Sequence, residues 1–204
     1  MTVPGDEHLA LAEELLLLAL VPASGRVSSG LRVRYALAAA ELMEQELTGA
    51  VRPEADGKRF TATAPSGTAQ RPLTRGWLGQ HARRSLITRY GDRLAERGAV
   101  RRQHRRLAGV LPATRYPLLR RDLAAEVRSR VEGAAQGEAN AAADPRAARL
   151  GALLAAVGLD HRVFPGPAHR GLRHRLAERA ATDRVARHAH RAVRAARAAA
   201  HGGG

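Results

Sequence analysis

Apolar and polar positions alternate along most of this chain with the period of a helix. Leu9, Leu11, Leu15 to Leu18 and Leu20 follow Asp6 and Glu7, and none of them is β-branched. Opening acids and unbranched apolar residues predict a first helix over Asp6–Leu20. Leucine covers most of its circumference and leaves Glu13 and Glu14 as the polar strip, so this helix is expected to be surrounded by others. Pro22 and Gly25 end it. A second helix is expected from the Ser28-Ser29-Gly30 cap to about Thr48, before Gly49, with Leu31, Tyr35, Leu37, Leu42 and Leu47 at helical spacing.

From Ala50 to Ala64 the pattern shortens, and Asp56-Gly57 between Val51 and Phe60 predicts a hairpin. A helix is expected over Pro72–Arg97, then a second hairpin within Ala99–Val110, then a helix over Leu118–Val131. Residues 132–143 are Ala, Gly, Gln, Glu and Asn with no apolar anchor, and read as a flexible surface loop or a weak helix and not as a core element. Asp144-Pro145 is an N-cap followed by an N1 proline, opening a helix that Gly158 ends. One long arginine-rich helix is expected over His169–Ala199, with residues 200–204 a frayed tail.

Composition narrows the function. Aromatics are 3% of the chain, so leucine, alanine and valine must build the core. The net charge is +15, and Lys58 is the only lysine. GC-rich coding accounts for a joint surplus of alanine and arginine. An anionic partner is the functional reading, because a guanidinium donates two parallel hydrogen bonds to a phosphate. With no cysteine, thiolate chemistry and disulfides are excluded. The N-terminal stretch lacks the positive region of a secretory signal. No apolar run approaches the roughly 20 residues that span a bilayer, so a soluble or surface-associated, cytoplasmic protein is expected.

No phosphate-cradling loop, nucleophile elbow or His-Glu-x-x-His pair is present, and no enzyme is expected. Glu13, Glu14, Glu41, Glu44 and Glu46 read as solvated faces. His169 with His174, and His188 with His190, lack the spacing that places two imidazoles on one helix face, so neither metal nor cofactor is expected. The terminal arginines, among them Arg187, Arg191 and Arg194, suit lipid phosphates as an auxiliary contact. A nucleic acid is the second reading, although a stacking surface for RNA would need more aromatics. An enzyme with an unrecognised motif is the third.

Several blocks in order, LALAEELLLLAL at Leu9–Leu20, SSGLR at Ser28–Arg32, APSG at Ala64–Gly67, LAERG at Leu94–Gly98, RYP at Arg115–Pro117 and DPRAARLGALLAAVGL at Asp144–Leu159, resemble the Golgi phosphoprotein 3 family. The resemblance implies one mostly α domain over residues 1–204, with a central helical bundle, surrounding amphipathic helices and one or two short hairpins. It also implies peripheral binding to phosphatidylinositol 4-phosphate. The family pocket, as the resemblance implies it, uses an arginine that matches Arg32 and a pair a turn apart that falls on Arg84 and Ile87. Its loop tryptophan falls on Ala23. Arg83 and Arg26 are neighbouring candidates to complete the headgroup site. The expected partners are therefore an anionic phospholipid or phosphoinositide headgroup and a membrane surface; a protein partner and homo-oligomer formation stay open.

Overall fold

The computed structural model describes residues 8–54, 59–62, 71–72, 75–107, 111–137 and 144–201. The helices are α1 (Leu11–Ala19), α2 (Gly30–Leu47), α3 (Arg75–His81), α4 (Arg84–Glu96), α5 (Arg121–Gln136), α6 (Pro145–Val157), the single turn α7 (Asp160–Val163), α8 (Arg170–Thr182) and α9 (Arg184–His201). Two small antiparallel sheets lie between them. In one, β1 (Val51–Pro53), β2 (Arg59–Ala62) and β3 (Arg71–Pro72) are ordered β1-β2-β3; the other pairs β4 (Gln103–Leu107) with β5 (Leu111–Arg115).

Every residue of α1 is buried. It packs against α2, α4, α5 and α6, the arrangement expected of a helix apolar on nearly all sides. Alanine sets the spacing of its neighbour: Ala36, Ala38, Ala39 and Ala40 of α2 are all fully buried, so α1, α6 and α9 approach that helix closely.

The acids of α1 and α2 are not the solvated faces their sequence suggested. Glu13 and Glu14 are 1% and 2% exposed. Glu13 Oε2 accepts from the Ala10 amide at 2.9 Å, Glu44 Oε2 accepts from the Leu11 amide at 2.8 Å, and together they satisfy the open start of α1. Glu14 is paired with Arg130 of α5, Glu44 with Arg146 of α6, and Glu46 with Arg149 of α6, which also reaches Asp183 Oδ2 at 3.0 Å. Arginines elsewhere in the sequence supply the partners, and no local pattern around the glutamates announces them.

Other boundaries also shift. α1 begins at Leu11; Asp6, Glu7 and the Asp56-Gly57 turn lie outside the described residues, although β1 and β2 pair as expected. The Pro72–Arg97 helix is two helices, broken where the Ala82 amide closes onto Leu78 O and Arg83 turns extended. The second hairpin runs further than Ala99–Val110 and takes its return strand from Leu111–Arg115. Residues 132–136 belong to α5, with Gly133, Ala134 and Ala135 buried, so the expected loop is helical there. Alanines supply the close contact that a search for large anchors overlooks. Asp144 caps α6 as expected, accepting from the Ala147 amide at 2.9 Å. The terminal helix is broken at Asp183, whose Oδ1 caps Ala186 N at 2.8 Å to start α9, and α9 runs on through His201.

Candidate functional site

A depression of about 620 Å³ opens where the first turns of α2 and α4 meet the end of β5. Gly30, Leu31 and Arg34 line it from α2, Arg84, Ile87 and Thr88 from α4, and Tyr116 from the segment after β5. Two positively polarised helix ends therefore face one space. Neither the Ser29 cap of α2 nor the Arg83 cap of α4 makes a side-chain capping bond, which leaves first-turn amides available to an anion. Ser29 holds a left-handed backbone at φ 54°, an uncommon conformation for a non-glycine residue.

The cations of this depression are Arg34 and Arg84. Arg34 Nε is buried without a hydrogen-bond partner, and its guanidinium lies 5.9 Å from the Tyr35 ring centre. A buried donor left unpaired costs free energy that an anion would recover. Arg84 is exposed at the rim.

Tyr116 forms the rigid wall. Its ring fills the space over Gly91, where an added Cβ would stand 2.4 Å from the ring, and its hydroxyl donates to Asp92 Oδ1 at 3.0 Å. Burial, then the Asp92 hydrogen bond, pushes its pKa up to about 12. Gly25 is what lets the chain close here: at φ +60° it lies against Tyr116 and Pro117, and a Cβ there would sit 2.1 Å from Pro117 N. Its carbonyl accepts from the Tyr116 amide at 2.9 Å.

The expected site residues do not all gather here. Arg32 donates from Nη1 to the Gly158 carbonyl at 2.8 Å, tying α2 to the end of α6, and it does not line the depression. Arg84 and Ile87 do. Arg83 is exposed and donates from Nε to Gln80 O at 3.0 Å. Arg26 is exposed in the loop after α1, as is Ala23. Arg187, Arg191 and Arg194 are exposed on α9, the first two over a floor of alanines from α6 and α8. Arg34 is the residue that matching to Arg32 misses. Successive helix positions turn by roughly 100°, so Arg32 and Arg34 face different directions, whereas Arg34 shares a stripe with Gly30 and Leu31. That spacing is the signal that could have found it.

Among the described residues no group of three or more His, Asp or Glu side chains is placed to hold a metal ion, and no helix is long and apolar enough to cross a membrane. The molecule is a mostly helical domain with small marginal sheets and an arginine-lined depression at converging helix ends. A family model described as Golgi phosphoprotein 3 (GPP34) matches residues 11–199. The chain belongs to the Golgi phosphoprotein 3 family. No curated protein matches it.

Proposed function

We propose that this protein is a peripheral membrane protein that binds an anionic, phosphoinositide-type headgroup in the Arg34–Arg84 depression and carries out no reaction on it. The observation that carries this reading is the buried, unpartnered Nε of Arg34 beside Arg84, at a depression onto which two uncapped helix starts open. Guanidinium forks and backbone amides both donate to phosphate oxygens. Ile87 and Ala23 stand where the family pocket, as the resemblance implies it, has a second paired arginine and a tryptophan. The site therefore reads charge and headgroup shape with less discrimination between phosphate positions. On this reading the protein is cytoplasmic, held at a membrane surface by the headgroup, with the α9 arginines as auxiliary contacts.

The test is titration with soluble inositol phosphates and with phosphoinositide vesicles. Arg34→Ala and Arg84→Ala should each weaken both by about 10- to 100-fold, the scale of a charge-assisted hydrogen bond, with the fold intact by circular dichroism. Unchanged affinity in both variants, or binding to random duplex DNA equal to vesicle binding at matched salt, overturns the reading.

A further inference from the structure

Where α1 and α4 end and α5 begins, three stretches of backbone are tied into one platform. The Leu118 amide donates to the Pro22 carbonyl at 3.2 Å and the Arg101 amide to the Pro117 carbonyl at 2.9 Å, while the Leu119 and Arg120 amides share the Ala99 carbonyl at 3.0 and 3.1 Å. Val100 and Leu118 form an antiparallel bridge within it. These loop amides and carbonyls are paired with one another and not left to water, so the side chains of the platform are held at fixed positions.

Leu119 stands on this platform 50% exposed, the large hydrophobic side chain left in water among the described residues. A single exposed leucine is ordinary on a protein surface; the setting distinguishes this one. Pro22 and Ala23, on the adjoining stretch, are exposed as well, which makes the apex apolar. Arg26, Arg101 and Arg121, carried by the same three stretches, are exposed, and none of them has an ion-pair partner among the described residues. Asp92 and Asp122 are already neutralised, by Arg102 at 3.2 Å and by Arg120 at 2.8 Å.

An apolar apex among unpaired guanidinium groups selects its partner. Nucleic-acid phosphates would meet the arginines and leave Leu119 in water. A stable protein interface needs roughly 800 Å² on each side with an apolar centre, and one leucine beside a proline and an alanine does not supply that. A bilayer surface accepts a single apolar side chain, because it is fluid and each buried methylene contributes by itself, while its phosphates attract the arginines. The platform also adjoins the Arg34–Arg84 depression. Tyr116 lines that depression and precedes Leu119 by three residues, a reach of at most about 11 Å. Each polar layer of a bilayer is roughly 5–8 Å deep, so one membrane surface can meet both.

We propose that Leu119, with Pro22 and Ala23 beside it, is the point at which this chain inserts into the polar layer of an anionic bilayer, with Arg26, Arg101 and Arg121 on the phosphates around it. The proposal rests on the headgroup reading of the Arg34–Arg84 depression and adds an apolar anchor to it.

The chain has no cysteine, so Leu119→Cys can carry a single environment-sensitive fluorophore, with Ala181→Cys, exposed on α8, as the control. The probes are phosphatidylcholine vesicles containing phosphatidylinositol 4-phosphate or phosphatidylserine. Brominated acyl chains in them should quench the label at position 119 and leave that at 181 bright. Leu119→Ser should weaken vesicle binding about tenfold, the effect of two methylene groups leaving an apolar phase, with soluble inositol phosphate bound as before. Because Leu119 is half exposed, serine there leaves the core intact. The serine loss should be alike at roughly 0.01 and 0.15 M salt, whereas the loss in Arg101→Ala with Arg121→Ala should shrink as salt rises. The proposal is overturned if the label at 119 stays in water on vesicle-bound protein, if Leu119→Ser binds vesicles as tightly as the unaltered chain, or if its loss shrinks with salt as the arginine loss does. A chain that binds neither kind of vesicle overturns it together with the membrane reading. Unchanged inositol phosphate affinity in Arg34→Ala and Arg84→Ala, with position 119 quenched on phosphatidylserine vesicles, overturns the depression and supports the apex.

Discussion

The guanidinium of Arg32 donates from Nη1 to the carbonyl of Gly158 at 2.8 Å, joining the first turn of α2 to the residue that ends α6 across 126 positions of sequence. Gly158 takes a left-handed backbone at φ +71°, and Arg32 places a positive charge on carbonyls that α6 leaves open. Arg32→Ala should therefore lower the urea midpoint, costing about 1.5–3 kcal/mol for the lost charged hydrogen bond. Inositol phosphate affinity of the folded variant should stay close to that of the unaltered chain. A tenfold loss of affinity with no loss of stability would return Arg32 to the proposed headgroup site.

Glu14 and Arg130 pair a buried carboxylate of α1 with a part-buried guanidinium of α5. Burial pushes the Glu14 carboxyl above its ordinary 4.5, against the hydrogen bond and charge of Arg130 that pull it down, and Glu14 Oε2 has no hydrogen-bond partner. Arg130→Ala should destabilise by about 3–5 kcal/mol, because it strands a buried carboxylate. Replacing both by Leu and Met should cost far less. The sign of the pH dependence follows from the raised value: the folded state holds the Glu14 proton longer than the unfolded chain does. The contribution of Glu14 is thus fully present below about 4.5 and declines as pH rises through its folded value. Glu14→Gln should flatten that slope, measured as denaturant midpoint against pH.

Glu14 also shows where the sequence stops being informative. Leucine around α1 was enough to place that helix at the centre, because a helix apolar on all sides has no other stable home. The same pattern could not say whether its acids meet water or arginine, since Arg130, Arg146 and Arg149 lie more than a hundred residues away from Glu14, Glu44 and Glu46. The break at Asp183 was readable in principle, as Thr182-Asp183 is a capping signal; the continuous arginine pattern on either side concealed it. At the depression, Arg84 and Ile87 followed from counting back from Gly98, whereas Arg34 required the rotation of α2. The family correspondence at Arg32 names a position on the chain and not the face it occupies.

Tyr116 should report on the integrity of the Arg34–Arg84 depression at alkaline pH. Its folded pKa, pushed up to about 12 by burial and then by the bond to Asp92, exceeds the ordinary 10.0. The stability it contributes is complete below pH 10 and is lost as pH rises from there through 12. Subtracting the phenolate absorbance titration of Tyr116→Phe from that of the unaltered chain should isolate a late-titrating group. The variant should show a shallower fall in stability above pH 10, and should lose about 0.5–1.5 kcal/mol at neutral pH with the Asp92 hydrogen bond. A difference titration centred near 10 would mean that the ring is not seated over Gly91.

The α9 arginines should add affinity for a membrane without adding selectivity. Arg187, Arg191 and Arg194 recur at spacings of four and three, so they share one exposed stripe. None of them lines the Arg34–Arg84 depression. Each basic residue near an anionic surface contributes about 1 kcal/mol. Neutralising all three should therefore weaken binding to anionic vesicles by up to about 100-fold at low salt. The difference should shrink steeply toward 1 M salt, where the screening length falls to about 3 Å. Binding of soluble inositol phosphate should not change, because a small ligand seated between α2 and α4 never meets this stripe. Vesicle binding that is insensitive to the triple substitution at low salt would remove α9 from the membrane contact, and a loss of soluble headgroup affinity would mean that the stripe and the depression act as one site.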